Sequence, residues 1–210
     1  AARRPRAEPH ASDAHAPGSR APRSVDTYGA AMVDHIEVSQ ELIDESRAVN
    51  AAIEEMLAAN PSVHTVPPAE TRAARAEGRS WQGPIVHAEG ATWRTAPGPG
   101  GEVPLRVLAG ERADAIYLHI HGGGWVLGAA DQQDALLQTI ATGAGVVVVS
   151  VDYRLAPEHP FPAGPDDCAA AAAWILEHAG EEWGTTRVVI GGESAGAHLA
   201  ALTLLRLRDE

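Results

Sequence analysis

Lysine is absent from this chain. All 16 of its permanently cationic side chains are arginine, and 28 carboxylates outnumber them to leave a formal charge of −12. A surface of that sign repels backbone phosphates, so no nucleic acid is expected as a partner. Cysteine is almost absent too. The single Cys168 excludes an internal disulfide framework, and its place in the apolar run Cys168–Trp174 marks it as a small core residue. No apolar stretch approaches the roughly 18–20 residues of a membrane-crossing helix, so no membrane span is expected. Residues 1–24 lack the apolar centre of a secretory leader, which makes the cytoplasm the expected location. No internal repeat and no metal-ligand spacing can be found, and neither a metal nor a cofactor is expected.

What remains is the composition of a globular protein: 45% hydrophobic and 21% charged residues in a chain of 210, long enough for one well-buried domain and an appendage. Residues 1–24, dominated by Ala, Arg, Pro, Ser and His, show no hydrophobic period and read as a disordered tail. Residues 25–80 read as a helical segment. Ile36, Leu42, Ile43, Val49, Ile53, Met56 and Leu57 recur at threes and fours between about Tyr28 and Ala59, and Pro67-Pro68 precedes a short helix over about Glu70 to Glu77.

From residue 81 to 210 the pattern alternates. Short strands are expected at Ile85–His87 and Val103–Leu108 with the turn at 97–101 between them, then at Ala115–Ile120, Val146–Val151 and Arg187–Ile190. Helices are expected over about Asp131–Thr142, Pro165–His178 and Ala195–Arg208. Strand, helix, strand, helix implies an α/β fold with a mostly parallel sheet.

Two glycine-rich stretches carry the chemistry. Gly192-Glu193-Ser194-Ala195-Gly196 fits a G-x-S-x-G nucleophile elbow, with a strand running in and a helix running out as that motif requires. So tight a turn strains the serine backbone and demands small neighbours, Gly192 and Gly196. His121-Gly122-Gly123-Gly124-Trp125 also follows a strand. Its glycines can turn backbone N–H groups toward one point, which suits an oxyanion formed in acyl transfer. His121 and Gly124 are read as shaping that loop, with His121 a structural hydrogen-bonder rather than a general base. Trp125 either shapes a pocket mouth or packs in the core.

Between them lies Asp152-Tyr-Arg-Leu-Ala-Pro-Glu158, followed by His159-Pro-Phe-Pro-Ala163. The three stretches, in this order and approximate spacing, resemble the hormone-sensitive-lipase-like carboxylesterases of bacterial family IV, over about residues 30–210. The resemblance implies an α/β-hydrolase fold with Ser194 as nucleophile and the N–H groups of Gly122, Gly123 and Ala195 as the oxyanion hole. It further implies a helical cap at 25–80, a small-molecule ester of short to medium acyl chain as substrate, and a homodimer as the candidate assembly. Glu193 stands where Asp is commoner and is read as a tolerated variant.

A serine hydroxyl needs a base, and that base needs an orienting acid. In this fold both follow the serine in the chain. Only a helix follows Ser194 here, and His198, one turn along it, is expected to pack. The chain is therefore expected to be the N-terminal portion of a longer esterase, ending after the elbow helix and nearly inactive alone. Two other readings remain: a non-catalytic ligand-binding protein on the same scaffold, as in plant gibberellin receptors, or an inactive gene fragment. Amide, carbamate and formamide substrates also stay open.

Overall fold

The computed structural model describes residues 38–59, 65–80, 82–109 and 113–209. The tail expected over 1–24, and the first turns of the helix expected from Tyr28, lie outside them. Helix α1 spans Gln40–Ala58, where the Ser39 hydroxyl accepts the Leu42 N–H at 3.2 Å, an oxygen cap for an otherwise orphan donor. Its apolar residues Leu42, Val49, Ile53 and Leu57 are all exposed. Helix α2, Pro68–Ala76, begins on proline, whose missing N–H costs nothing at a first helical position.

The remaining described residues build one five-stranded sheet. Its strands are β1 (Thr92–Gly98), β2 (Gly101–Leu108), β3 (Ile116–Ile120), β4 (Val147–Val151) and β5 (Val188–Gly192), in the spatial order β1-β2-β4-β3-β5. β3 pairs in parallel with both β4 and β5, while β2 runs antiparallel to β1 and β4. Four of the five strands therefore point the same way. Helices α3 (Asp134–Ala144), α4 (Ala163–Trp183) and α5 (Ala195–Asp209) connect or follow the parallel strands, which is how parallel neighbours must be joined.

One strand was misplaced by the sequence reading. Ile85–His87 has no regular structure, and Val86 is two-thirds exposed. The hairpin partner of β2 is instead Thr92–Gly98, with only Pro99-Gly100 left as the turn. Pro97 and Gly98 resemble turn residues, but β1 is an edge strand, where a proline with no N–H leaves no ladder bond unmade.

Both faces of the sheet are covered. On one face Ile116, Leu118, Ile120, Val147, Val149 and Val151 pack against Ala171, Ala172 and Ile175 of α4 and Leu199 of α5. On the other, Val148 and Leu108 meet Leu137 and Ala141 of α3. β4 is buried throughout, and its unbroken run of apolar residues and one serine suits a strand buried on both sides. β5 is an edge strand whose Val189 is exposed.

A buried ion pair ties β2 to α3. The Arg106 guanidinium donates from Nε and Nη2 to Asp134, the first residue of α3, which also accepts the Ala88 N–H at 3.0 Å. Asp134 is fully buried and Arg106 nearly so. Removing one partner strands the other charge out of water, so Asp134→Ala is expected to cost about 3–5 kcal/mol in urea unfolding. Asp134→Leu combined with Arg106→Met removes both charges and should recover most of that loss.

Candidate active site

The carboxyl ends of β3 and β5 lie side by side, with Ile120 in register with Gly192. Each strand runs straight into one glycine-rich stretch. After β5 the chain reverses into α5 within two residues, and Ser194 takes φ = 54°, a left-handed conformation that costs a non-glycine residue about 1–2 kcal/mol. The turn leaves Ser194 exposed while Ala195 and Gly196 are buried. Gly196 packs so tightly on β3 that a Cβ there would collide with the Ile120 carbonyl oxygen. The serine is thus raised clear of a backbone junction that admits no side chain beneath it.

After β3 the chain makes the second turn. Gly123 takes φ = 122°, and its carbonyl accepts the N–H groups of Val126 and Leu127, so the loop closes on itself. His121 sets its base. The imidazole stacks on Tyr153 with centroids 4.3 Å apart, its Nδ1 donates to the Gly122 carbonyl at 2.8 Å, and the Tyr153 hydroxyl donates to the His121 carbonyl at 2.8 Å. Burial pushes the His121 pKa down, which keeps the ring neutral, and its buried Nε2 has no partner among the described residues.

Glu193 joins the two turns. One carboxylate oxygen accepts the Gly122 N–H and the Gln133 side-chain amide, and the other accepts from His119 Nε2 at 2.9 Å. A carboxylate only accepts, so Nε2 carries the His119 proton; Nδ1 then accepts from the Ser150 hydroxyl at 2.8 Å. Burial alone would raise the Glu193 pKa. The bonds from His119, Gly122 and Gln133 outweigh it and hold the carboxyl at about 2. This is more than a tolerated variation at an Asp position, because the side chain physically connects the elbow to the oxyanion-type loop. A signal was legible: His119 and Ser150 are polar residues in apolar strands, and they are register partners across β3 and β4.

The same contact bears on the donor assignment. Gly122 directs its N–H to Glu193. The N–H groups of Gly123, Gly124 and Ala195 donate to no acceptor among the described residues.

Trp125, also left-handed at φ = 61°, is half-exposed and meets the His198 ring edge-on at 5.4 Å. His198 donates its backbone N–H to the Ser194 carbonyl at 3.3 Å. Among the described residues no side chain bonds the Ser194 hydroxyl, and no group of His, Cys, Asp and Glu could hold a metal ion. Ser194, Glu193, Gly122 and Gly123 line a cavity of about 440 Å³, a size ordinary for small-molecule sites. The loop after β4 is held apart from it. Arg154 binds the buried Asp167 carboxylate through Nε and Nη2, both at 2.8 Å, and Asp152 accepts the Ala130 N–H at 2.9 Å.

Two outcomes follow from this geometry. Glycine accepts the left-handed turn freely, so Ser194→Gly is expected to raise unfolding stability by up to about 1 kcal/mol, whereas Ser194→Ala should give no such gain. The Glu193 carboxyl is depressed from its usual 4.5, so its ionised bonds stabilise the fold fully above that pH. Their contribution fades as pH falls toward about 2. Urea midpoints of the wild-type chain and Glu193→Gln should therefore converge on titration from about pH 6 to about pH 3.

Residues 117–210 match the family described as alpha/beta hydrolase fold. The carboxylic ester hydrolase LipN of Mycobacterium tuberculosis is 44% identical over 132 residues, which span 61% of this chain and 35% of that protein. An arylesterase of Saccharolobus solfataricus is 37% identical over 111 residues, 51% of this chain and 36% of its own. Among solved structures, an esterase from Pyrobaculum calidifontis superposes with a TM-score of 0.59 at 35% identity, covering 69% of this chain and 49% of that one. The chain thus spans about a third of these curated relatives and about half of the solved esterase. The matched region has the α/β-hydrolase fold, and the chain is similar over these stretches to carboxylic ester hydrolases and esterases.

Proposed function

We propose that the protein containing this chain hydrolyses carboxylic esters through an acyl-enzyme on Ser194. The observation that carries the reading is the exposed, left-handed serine at the β5–α5 turn, lining one cavity with the glycine loop after β3. In the reaction the Ser194 oxygen attacks the ester carbonyl and its proton passes to a base. The tetrahedral oxyanion collapses, expelling the alcohol, and water then releases the acid. We assign the oxyanion donors to the N–H groups of Gly123, Gly124 and Ala195, because Gly122 is committed to Glu193. Each such donor contributes on the order of 10²–10³ in rate where single donors have been removed from other enzymes. Glu193 is a positioning residue: it fixes the glycine loop relative to the serine without touching the reacting atoms.

No described side chain bonds the Ser194 hydroxyl. The carboxylesterase relatives are about three times as long as the matched part, and we assign the acid and base of the triad to sequence outside this chain. Short to medium acyl chains fit the cavity volume.

The test is 4-nitrophenyl butyrate hydrolysis by the complete coding frame that contains these residues. Ser194→Ala should lower kcat by about 10⁴ or more, and a fluorophosphonate should label Ser194 in the wild type alone. Equal rates in wild type and Ser194→Ala would overturn the proposal. Ligand binding in the cavity without turnover would favour the non-catalytic reading instead.

A further inference from the structure

Two arginines project from α2 one helical turn apart, and their surroundings differ. Arg72 has a carboxylate partner: Nη1 donates to the carbonyls of Val126 at 2.7 Å and Ala156 at 3.4 Å, and Nη2 pairs with the Glu158 carboxylate. Arg75 lacks one among the described residues. Its Nη1 donates to the Gly83 carbonyl at 2.8 Å and the Ser80 hydroxyl at 3.4 Å, its buried Nε has no acceptor, and no carboxylate pairs with it among the described residues. A half-buried guanidinium with an unused donor and no counter-charge is an expensive arrangement to keep in an unliganded fold.

Arg75 lines the same cavity as Ser194, together with the amide side chains of Gln82 and Gln132 and the Thr71 hydroxyl. The other charged groups lining it are Arg72, which is paired with Glu158, and Glu193, which already accepts from three donors. A second cleft, of about 360 Å³, opens on the far side of the glycine loop and is lined by Trp125, Val126, Phe161, Pro165 and Leu199. Gly122 and Gly123 border the cavity that Arg75 lines, and Gly124 borders the cleft. An ester centred over Ser194 therefore meets a cationic, hydrogen-bonding wall on one side and an apolar wall on the other. The chain as a whole carries −12, so its overall field repels anions. Of the two arginines lining the cavity, Arg75 has no carboxylate partner among the described residues, and its charge acts locally, against that field.

We infer that the substrate carries an anionic group, a carboxylate a few bonds from the scissile carbonyl, and that Arg75 binds it. The inference rests on the ester-hydrolase reading above and names its substrate class: half-esters of dicarboxylic acids, with the apolar alcohol in the Trp125 cleft.

The test compares two esters of equal length in the complete coding frame, 4-nitrophenyl hexanoate and the mono-4-nitrophenyl ester of adipic acid, which differ in one terminal carboxylate. The wild type should show the higher kcat/KM on the adipate. Arg75→Gln should lower the adipate-to-hexanoate ratio by about tenfold or more, the usual scale for a hydrogen bond to a charged group. Arg75→Lys should restore part of it. A purely structural role would depress both esters equally and leave the ratio unchanged, and that result overturns the inference. Hexanoate turnover with no adipate preference overturns it as well, while leaving ester hydrolysis standing. If neither ester is cleaved, the ester-hydrolase reading fails and the substrate class falls with it.

Discussion

The Glu193 carboxylate sits where three separately built parts of the molecule converge: the elbow after β5, the glycine loop after β3, and the start of α3. Hydrogen bonds from His119, Gly122 and Gln133 fix all three to one side chain. The first of these continues through His119 to Ser150 in the central strand. A glycine loop is entropically the least determined kind of backbone, since its residues lose the most freedom on ordering. Its useful geometry therefore has to be imposed from outside, and a carboxylate that accepts a loop N–H does so directly. Because Glu193 is the immediate neighbour of Ser194, the same residue that turns the elbow sets the distance to the loop.

The second constraint is steric. β3 and β5 are parallel neighbours in perfect register at their carboxyl ends, and α5 begins directly over that junction. Gly196 lies against the Ile120 carbonyl with no room for a Cβ. The helix can approach the sheet this closely only because the residue is glycine, and the close approach forces the left-handed turn at Ser194. Strain at the serine and tight packing beneath it are one fact seen from two sides: the turn is held in an unfavourable conformation by core contacts such as Leu199 against the sheet.

Much of this was legible in the residues. Apolar runs, each interrupted once by His119 or Ser150, gave β3 and β4 to within a residue, and the glycine-flanked serine placed the elbow between a strand and a helix. What was not legible depended on tertiary partners. Residues 97–101 read as a turn because Pro97, Gly98 and the following Pro-Gly share turn chemistry, but a hairpin partner and an edge position allow Pro97 and Gly98 in a strand. Glu193 reads as a variant of Asp until His119 and Gln133, 74 and 60 residues away in the chain, are seen to meet it. The proposed donor set differs from the one the motif implies for the same reason. Sequence can say that glycine N–H groups are free to turn, but only the fold shows that Gly122 has turned toward Glu193 and that Gly123 and Gly124 have not.

In the proposed reaction this arrangement divides the work unequally. The backbone donors and the raised serine are features of a rigid scaffold, in place before substrate arrives, and preorganised dipoles of that kind need no reorganisation as charge develops. Proton transfer is different, because it needs an ionisable group with a pKa near the working pH and a hydrogen bond to the serine. His121 donates its Nδ1 to the Gly122 carbonyl, and neither of its ring nitrogens bonds the Ser194 hydroxyl. His198 bonds the Ser194 backbone rather than its hydroxyl and faces Trp125. His119 is locked between Ser150 and Glu193. None of these three imidazoles bonds the Ser194 hydroxyl, and the proposed reaction draws its base from another residue.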